Sequence, residues 1–199
     1  HDDVVELAEY ASIPVINGLT DLLHPCQALA DLLTIKEKKG QLSGLKLAFV
    51  GDGNNVCHSL MFGCAKVGID VAVVTPKGYE PKEEIISLAK QDALKHGVSI
   101  NITNDPVEAV KDADVVVTDV WASMGQEAEQ AQRAQDFAPY QVNDKLVSHA
   151  RPDYIFLHCL PAHRGEEVVE DIIDGPNSVV WDEAENRLHT QKALLAMLL

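Results

Sequence analysis

A chain of 199 residues fits one large domain or a domain with an appendage. Its 46% apolar share can build a core, and its formal net charge of −15 argues against nucleic acid or an anionic membrane surface as a partner held by simple attraction. No signal-peptide pattern and no bilayer-length apolar run is visible, and the four cysteines (Cys26, Cys57, Cys64, Cys159) form no C-x-x-C pair, which reads as a reduced, cytoplasmic setting without a membrane anchor.

In chain order, residues 3–11 predict a short helix with Val4, Val5, Leu7 and Ala8 on one side. Residues 13–16 predict an edge strand, because Pro14 bars a central position. After a turn at 17–21, His24-Pro-Cys-Gln27 opens a helix through residue 35, with Pro25 in the first turn where its missing N–H costs nothing. His24 and Gln27 lie about one turn apart at an N-terminus whose dipole and free N–H groups favour an anion; on this stretch alone they are better explained as ordinary capping groups.

Beyond the polar linker at 36–44, strands are predicted at 45–50, 71–74, 98–102, 114–118, 154–158 and 178–180. Helices are predicted at 56–67, 81–96, 105–112, 127–137 (polar and solvated), 143–150, 166–173 and 182–199. This alternation predicts an α/β fold with a doubly wound, Rossmann-like parallel sheet and helices on both faces. The turn Gly51-Asp-Gly-Asn-Asn-Val56 carries two of the three glycines of a dinucleotide fingerprint, and the second strand ends at Thr75 without an acidic ribose ligand, so a nicotinamide cofactor is not expected.

In such a sheet the strand ends at 51–55, 119–125 and 158–161 open on one edge, where ligands bind. Asp119 offers a carboxylate for an ammonium group, and Asn54 and Asn55 offer amides for a carboxylate, a pairing suited to a zwitterionic amino acid. Asp119 and Ser123 also fit a helix N-cap, Cys159 fits a small buried core residue, and Arg187, among glutamates, fits a surface ion pair. His158 and His163, separated by a proline, have no recognised metal-ligand spacing, and no metal is expected.

Together His24-Pro-Cys-Gln27, Gly51-Asp-Gly-Asn-Asn55, Asp119-Val-Trp-Ala-Ser-Met-Gly125, His158-Cys-Leu-Pro161 and Glu185-Asn-Arg187 resemble, in the same order, the motifs of ornithine carbamoyltransferases. The similarity runs through essentially the whole chain. The first motif belongs to transcarbamoylases in general, whereas Ser-Met-Gly and His-Cys-Leu-Pro point to the ornithine enzyme. The resemblance implies transfer of a carbamoyl group from carbamoyl phosphate to the δ-amine of L-ornithine, giving L-citrulline and phosphate in arginine metabolism, with no cofactor. It implies that His24, Gln27, Cys159, Leu160 and Arg187 hold carbamoyl phosphate. It further implies that Asn55, Asp119, Ser123 and Met124 hold ornithine, and that Asp119, Cys159 and Arg187 carry the chemistry. Family members are usually homotrimers.

The family's phosphate-binding Ser-x-Arg-Thr motif is absent, and only four arginines occur (Arg133, Arg151, Arg164, Arg187), so a fragment is expected. The expected division is 1–22 as the tail end of a carbamoyl phosphate domain, 23–40 as an interdomain helix, 41–181 as the ornithine-binding domain and 182–199 as a helix packing back toward the missing domain. Two alternatives stand beside this reading: an inactive amino-acid-binding fragment, and a transcarbamoylase for a related amine such as putrescine or an N-acylornithine.

Overall fold

The structure, a computed structural model, describes residues 1–123, 125 and 127–199. Its elements run α1 (Asp2–Tyr10), α2 (Pro25–Lys39), β1 (Lys46–Val50), α3 (Asn55–Val67), β2 (Asp70–Val74), α4 (Glu83–His96), β3 (Ile100–Thr103), α5 (Pro106–Val110), β4 (Val115–Thr118), α6 (Gln130–Phe137), α7 (Asp144–Val147), β5 (Ile155–His158), α8 (Glu170–Ile173) and α9 (Val180–Leu198). Short 3-10 turns flank α6.

The five strands form one sheet in the order β3-β2-β1-β4-β5, and every pairing is parallel. The order reverses between β1 and β4, so the sheet is doubly wound and a crevice opens beyond the carboxyl ends of those two strands. The strands are nearly continuous apolar runs because both faces are covered. Leu47, Phe49, Val71, Val73, Val117 and Leu157 point into a core shared with α2, α3 and α4. The alternate residues Ala48, Val50, Ala72, Val116 and Phe156 point into a second core closed by α5, α7 and α8. This period-2 division of one strand between two cores follows from the pleat.

Local chemistry sets the boundaries. Asn54 caps α3, its side chain accepting from the Val56 and Cys57 N–H groups, and Asp105 does the same for α5 through Val107 and Glu108. Gly40, Gly68 and Gly97 end α2, α3 and α4 in the left-handed conformation.

Three expected elements differ. Residues 13–16 form no strand, since the described sheet ends at β3 and β5 and Pro14 lacks the N–H that pairing needs. The expected strand at 178–180 is a single bridge from Ser178 to Phe156, because α9 already begins at Val180. The expected helix at 166–173 is helical only from Glu170: Val168 is taken up in parallel bridges to Val142 and Arg164. No helix among the described residues is long and apolar enough to cross a membrane.

Candidate functional site

A cavity of about 1000 Å³ lies at the carboxyl edge of the sheet. Its lining includes His24, Asn55, Asp119, Ser123, Cys159 and Leu160, so six of the sequence-predicted site residues meet there. Gln27 and Arg187 lie beside it, bonded to each other. Met124, the remaining predicted ornithine ligand, falls outside the described residues.

The first turn after β1 is shaped by close backbone approach. A Cβ on Gly53 would collide with the Pro81 backbone, and the Gly53 N–H donates to the Tyr79 carbonyl at 2.8 Å. The space that a second fingerprint glycine gives to a pyrophosphate in dinucleotide folds is thus filled here by the chain itself. Of the two asparagines, Asn54 turns its Nδ2 to Asp119 Oδ2 at 2.7 Å, while Asn55 Nδ2 donates to the Thr20 carbonyl at 2.6 Å. Asn55 therefore ties the cavity wall to the segment before α2.

Asp119, at the end of β4, caps no helix among the described residues. Its Oδ1 accepts from the Val120 N–H at 2.8 Å and from the Cys159 thiol at 3.2 Å. Burial, and then the Asp119 carboxylate, push the Cys159 pKa well above its ordinary value. The residue is a neutral thiol that donates, not a thiolate that attacks. Leu160 holds a φ of +56°, a region leucine rarely visits. Its N–H donates to His158 Nδ1 at 2.9 Å, so His158 carries its proton on Nε2, 3.1 Å from Glu167 Oε1. The strained strand end is held in place by a buried His–Glu pair.

His24 sits at the N-cap of α2, but its side chain makes no capping bond. Burial, reinforced by the nearby Arg187 charge, lowers its pKa, so the imidazole is neutral. Gln27 is buried and not a cap: Arg187 Nη1 donates to its Oε1 at 2.7 Å, and its Nε2 donates to Asp31 Oδ1 at 2.8 Å and Glu183 Oε1 at 2.9 Å. Arg187 is thus drawn inward to an amide and not outward to the surface glutamates its sequence neighbours suggested.

Among the described residues, two groups of side chains bring metal-ligand atoms within 4.8 Å of one another, Asp119 with His158 and Cys159, and His163 with Glu166 and Glu167. In the first, both His158 nitrogens are already engaged and the thiol keeps its proton, which suits a hydrogen-bond network better than a metal.

Three supporting groups escaped the sequence reading. Arg133 on α6 is buried, donating to Asp52 Oδ2 and to the Trp121 carbonyl, each at 2.9 Å, with its guanidinium 5.0 Å from the centre of the Tyr79 ring. It fastens α6 and the 121 segment to the first turn. That α6 buries Arg133 and Phe137 corrects the expectation of a wholly solvated helix. Glu167 and the Asp31–Glu183 pair are the others; acidic residues in apolar surroundings were the available signal.

The topology and cavity define a doubly wound α/β domain with an open cavity at its switch point. More particularly, the chain belongs to the aspartate/ornithine carbamoyltransferase family: residues 43–198 match its Asp/Orn binding domain, and residues 1–37 match its carbamoyl-P binding domain. It is 66% identical over 199 residues to ornithine carbamoyltransferase of Pyrococcus abyssi, covering 100% of this chain and 63% of that protein. It is 67% identical to the Carboxydothermus hydrogenoformans enzyme of that name, covering 100% of this chain and 64% of that one. The solved structure of ornithine carbamoyltransferase from Pyrococcus furiosus superposes with a TM-score of 0.96 at 64% identity, covering 100% of this chain and 63% of that one. The chain spans less than two thirds of the length of these relatives.

Proposed function

We propose that this chain carries the ornithine half of an ornithine carbamoyltransferase site, and that the complete site transfers a carbamoyl group from carbamoyl phosphate to the δ-amine of L-ornithine, giving L-citrulline and phosphate. The observation that carries this reading is the meeting of Asp119, Asn54 and Cys159 over the cavity, beside the Gln27–Arg187 pair.

The reacting amine has to be neutral, whereas an alkyl ammonium ordinarily titrates at about 10. Asp119 is the carboxylate that faces an ammonium group and guides its proton away. Cys159, as a protonated thiol, orients that carboxylate and contacts the carbamoyl end without forming a covalent intermediate. Negative charge that develops on the carbonyl oxygen is met by donors fixed in advance, the neutral His24 imidazole and the Arg187 guanidinium. Holding both substrates in one orientation supplies much of the remaining acceleration. Asn55, Ser123 and Met124 complete the ornithine contacts, and Gln27 and Leu160 those to carbamoyl phosphate.

In this reading residues 1–22 are the tail end of a carbamoyl phosphate domain, 23–40 are the interdomain helix, 41–181 bind ornithine, and 182–199 pack back toward the carbamoyl phosphate domain. The assembly is a cytoplasmic homotrimer, as the resemblance implies. The family membership and the identity to enzymes named for ornithine support free ornithine as acceptor over putrescine or an N-acylornithine. Calorimetric titration tests the assignment: L-ornithine releases heat on binding, with carbamoyl phosphate present if the site needs it, and putrescine does not. Equal binding of the two amines would overturn it.

A further inference from the structure

Beneath the cavity, α2, α9 and β5 bury two carboxyl groups against each other. Asp31 and Glu183 are each 1% exposed and lie within hydrogen-bonding reach of one another. The groups around them are Gln27's partner Arg187, the His158 backbone and the Cys159 thiol at the end of β5, Asp119 after β4, and Cys64 on α3. Arg187 is the cation among these, and it reaches the pair only through Gln27.

The hydrogen bonds around the pair are lopsided. Glu183 Oε1 accepts from Gln27 Nε2 at 2.9 Å and its Oε2 accepts from the His158 backbone N–H at 2.8 Å. Asp31 Oδ1 accepts from the same Gln27 Nε2 at 2.8 Å, but its Oδ2 is buried without an N–H or O–H partner. Two ionised carboxylates cannot share such a site. One proton on Asp31 Oδ2, donated to Glu183, removes the repulsion and satisfies the orphaned oxygen together. Burial also raises the pKa of both groups.

We propose that Asp31 and Glu183 hold one proton between them and act as a positioning pair that fixes the Gln27 side-chain amide, and through it Arg187, at the carbamoyl phosphate end of the site. The polarity follows from the partners: with two acceptors behind it, the amide must turn its NH₂ inward and its oxygen out to the guanidinium. The pair also ties the His158 backbone, and so the Cys159 strand end, to α9. The link to carbamoyl phosphate rests on the function proposed above; the proton and the orientation of Gln27 do not.

Three variants test this. In Asp31→Asn the new amide can donate where the acid did, whereas Asp31→Leu keeps the bulk and removes the donor. Glu183→Gln sets an amide N–H against a donor, either His158 or Gln27. Infrared spectra of the 199-residue chain at neutral pH are expected to show one buried carboxylic-acid band that Asp31→Asn abolishes. Nuclear magnetic resonance signals of the Gln27 amide and the Arg187 guanidinium are expected to persist in Asp31→Asn and to shift or broaden in Asp31→Leu and in Glu183→Gln. In a protein completed with a carbamoyl phosphate domain, KM for carbamoyl phosphate is expected to stay within about twofold in Asp31→Asn and to rise about tenfold in Asp31→Leu. Absence of the acid band, or unmoved Gln27 and Arg187 signals in both disruptive variants, would overturn the proposal. If the unaltered completed protein makes no citrulline, the assigned function fails, and the two spectroscopic outcomes still decide the pair.

Discussion

Asp119 receives hydrogen bonds from side chains that arrive on two other strand ends, Asn54 at 2.7 Å and Cys159 at 3.2 Å. Its carboxylate is therefore aimed before any ligand enters. Asp119→Asn keeps the shape but removes the charge and turns an N–H toward one of those donors. Ornithine affinity is expected to fall by about a hundredfold or more, the cost of losing a buried charge partner, with the fold retained; an unfolded variant or unchanged affinity in calorimetry would count against the assignment. Cys159→Ala removes a donor from Asp119 but little volume, so turnover of the completed enzyme is expected to fall far more than its thermal midpoint. Equal turnover would show the thiol to be a packing residue. These two residues stand out in the sequence because each follows a predicted strand, at the sheet edge where ligands bind in an open α/β fold. The partners of Gln27 were not legible: Asp31 is one helical turn away, but Glu183 lies 156 residues from Gln27 in sequence, and only the tertiary fold joins them.

Helix α6 shows how an element can be read in place and misread in role. Eight residues, QAQRAQDF, carry too little apolar sequence to mark an inward face, and Arg133 reads as solvated. In the structure Arg133 and Phe137, four apart, both turn inward, and the guanidinium is satisfied by Asp52, Glu129 and the Trp121 carbonyl. Removing one partner of a buried pair leaves the other charge uncompensated, so Arg133→Met is expected to cost about 3 kcal/mol in urea unfolding. Arg164→Met, which breaks an exposed pair with Asp174, is expected to leave the urea midpoint unchanged. Matching losses in the two variants would show that the Asp52–Arg133 contact is no more than a surface pair. The core strands β1, β2, β4 and β5 were legible within a residue or so, because burial on both faces makes them unbroken apolar runs. The 166–173 stretch was not, because the bridges of Val168 to Val142 and Arg164 override its local helical pattern.

At the scale of the whole molecule the buried acids set a pH dependence opposite to that of paired surface carboxylates. Burial raises the pKa of both Asp31 and Glu183, so the folded pair keeps a proton that the unfolded acids lose above their ordinary range. Above that range the folded state binds more protons than the unfolded state, so the pair's contribution to stability is present at low pH and is lost as pH rises. Asp31→Asn is expected to gain stability relative to the unaltered chain as pH goes from about 4 to about 6.5; a constant difference between the two across that range would contradict the raised pKa. The sheet, its switch point and the residues that match the family's Asp/Orn binding domain lie within this chain, while the chain covers 63% of its Pyrococcus abyssi relative. The most direct measurement is therefore citrulline formation from carbamoyl phosphate and L-ornithine by this chain joined to a carbamoyl phosphate domain of its family, beside parallel reactions with putrescine and L-aspartate. Transfer to ornithine that Asp119→Asn abolishes is expected, with no product from the other two amines. Equal transfer to putrescine or aspartate, or transfer to ornithine that survives the loss of the Asp119 charge, would contradict it.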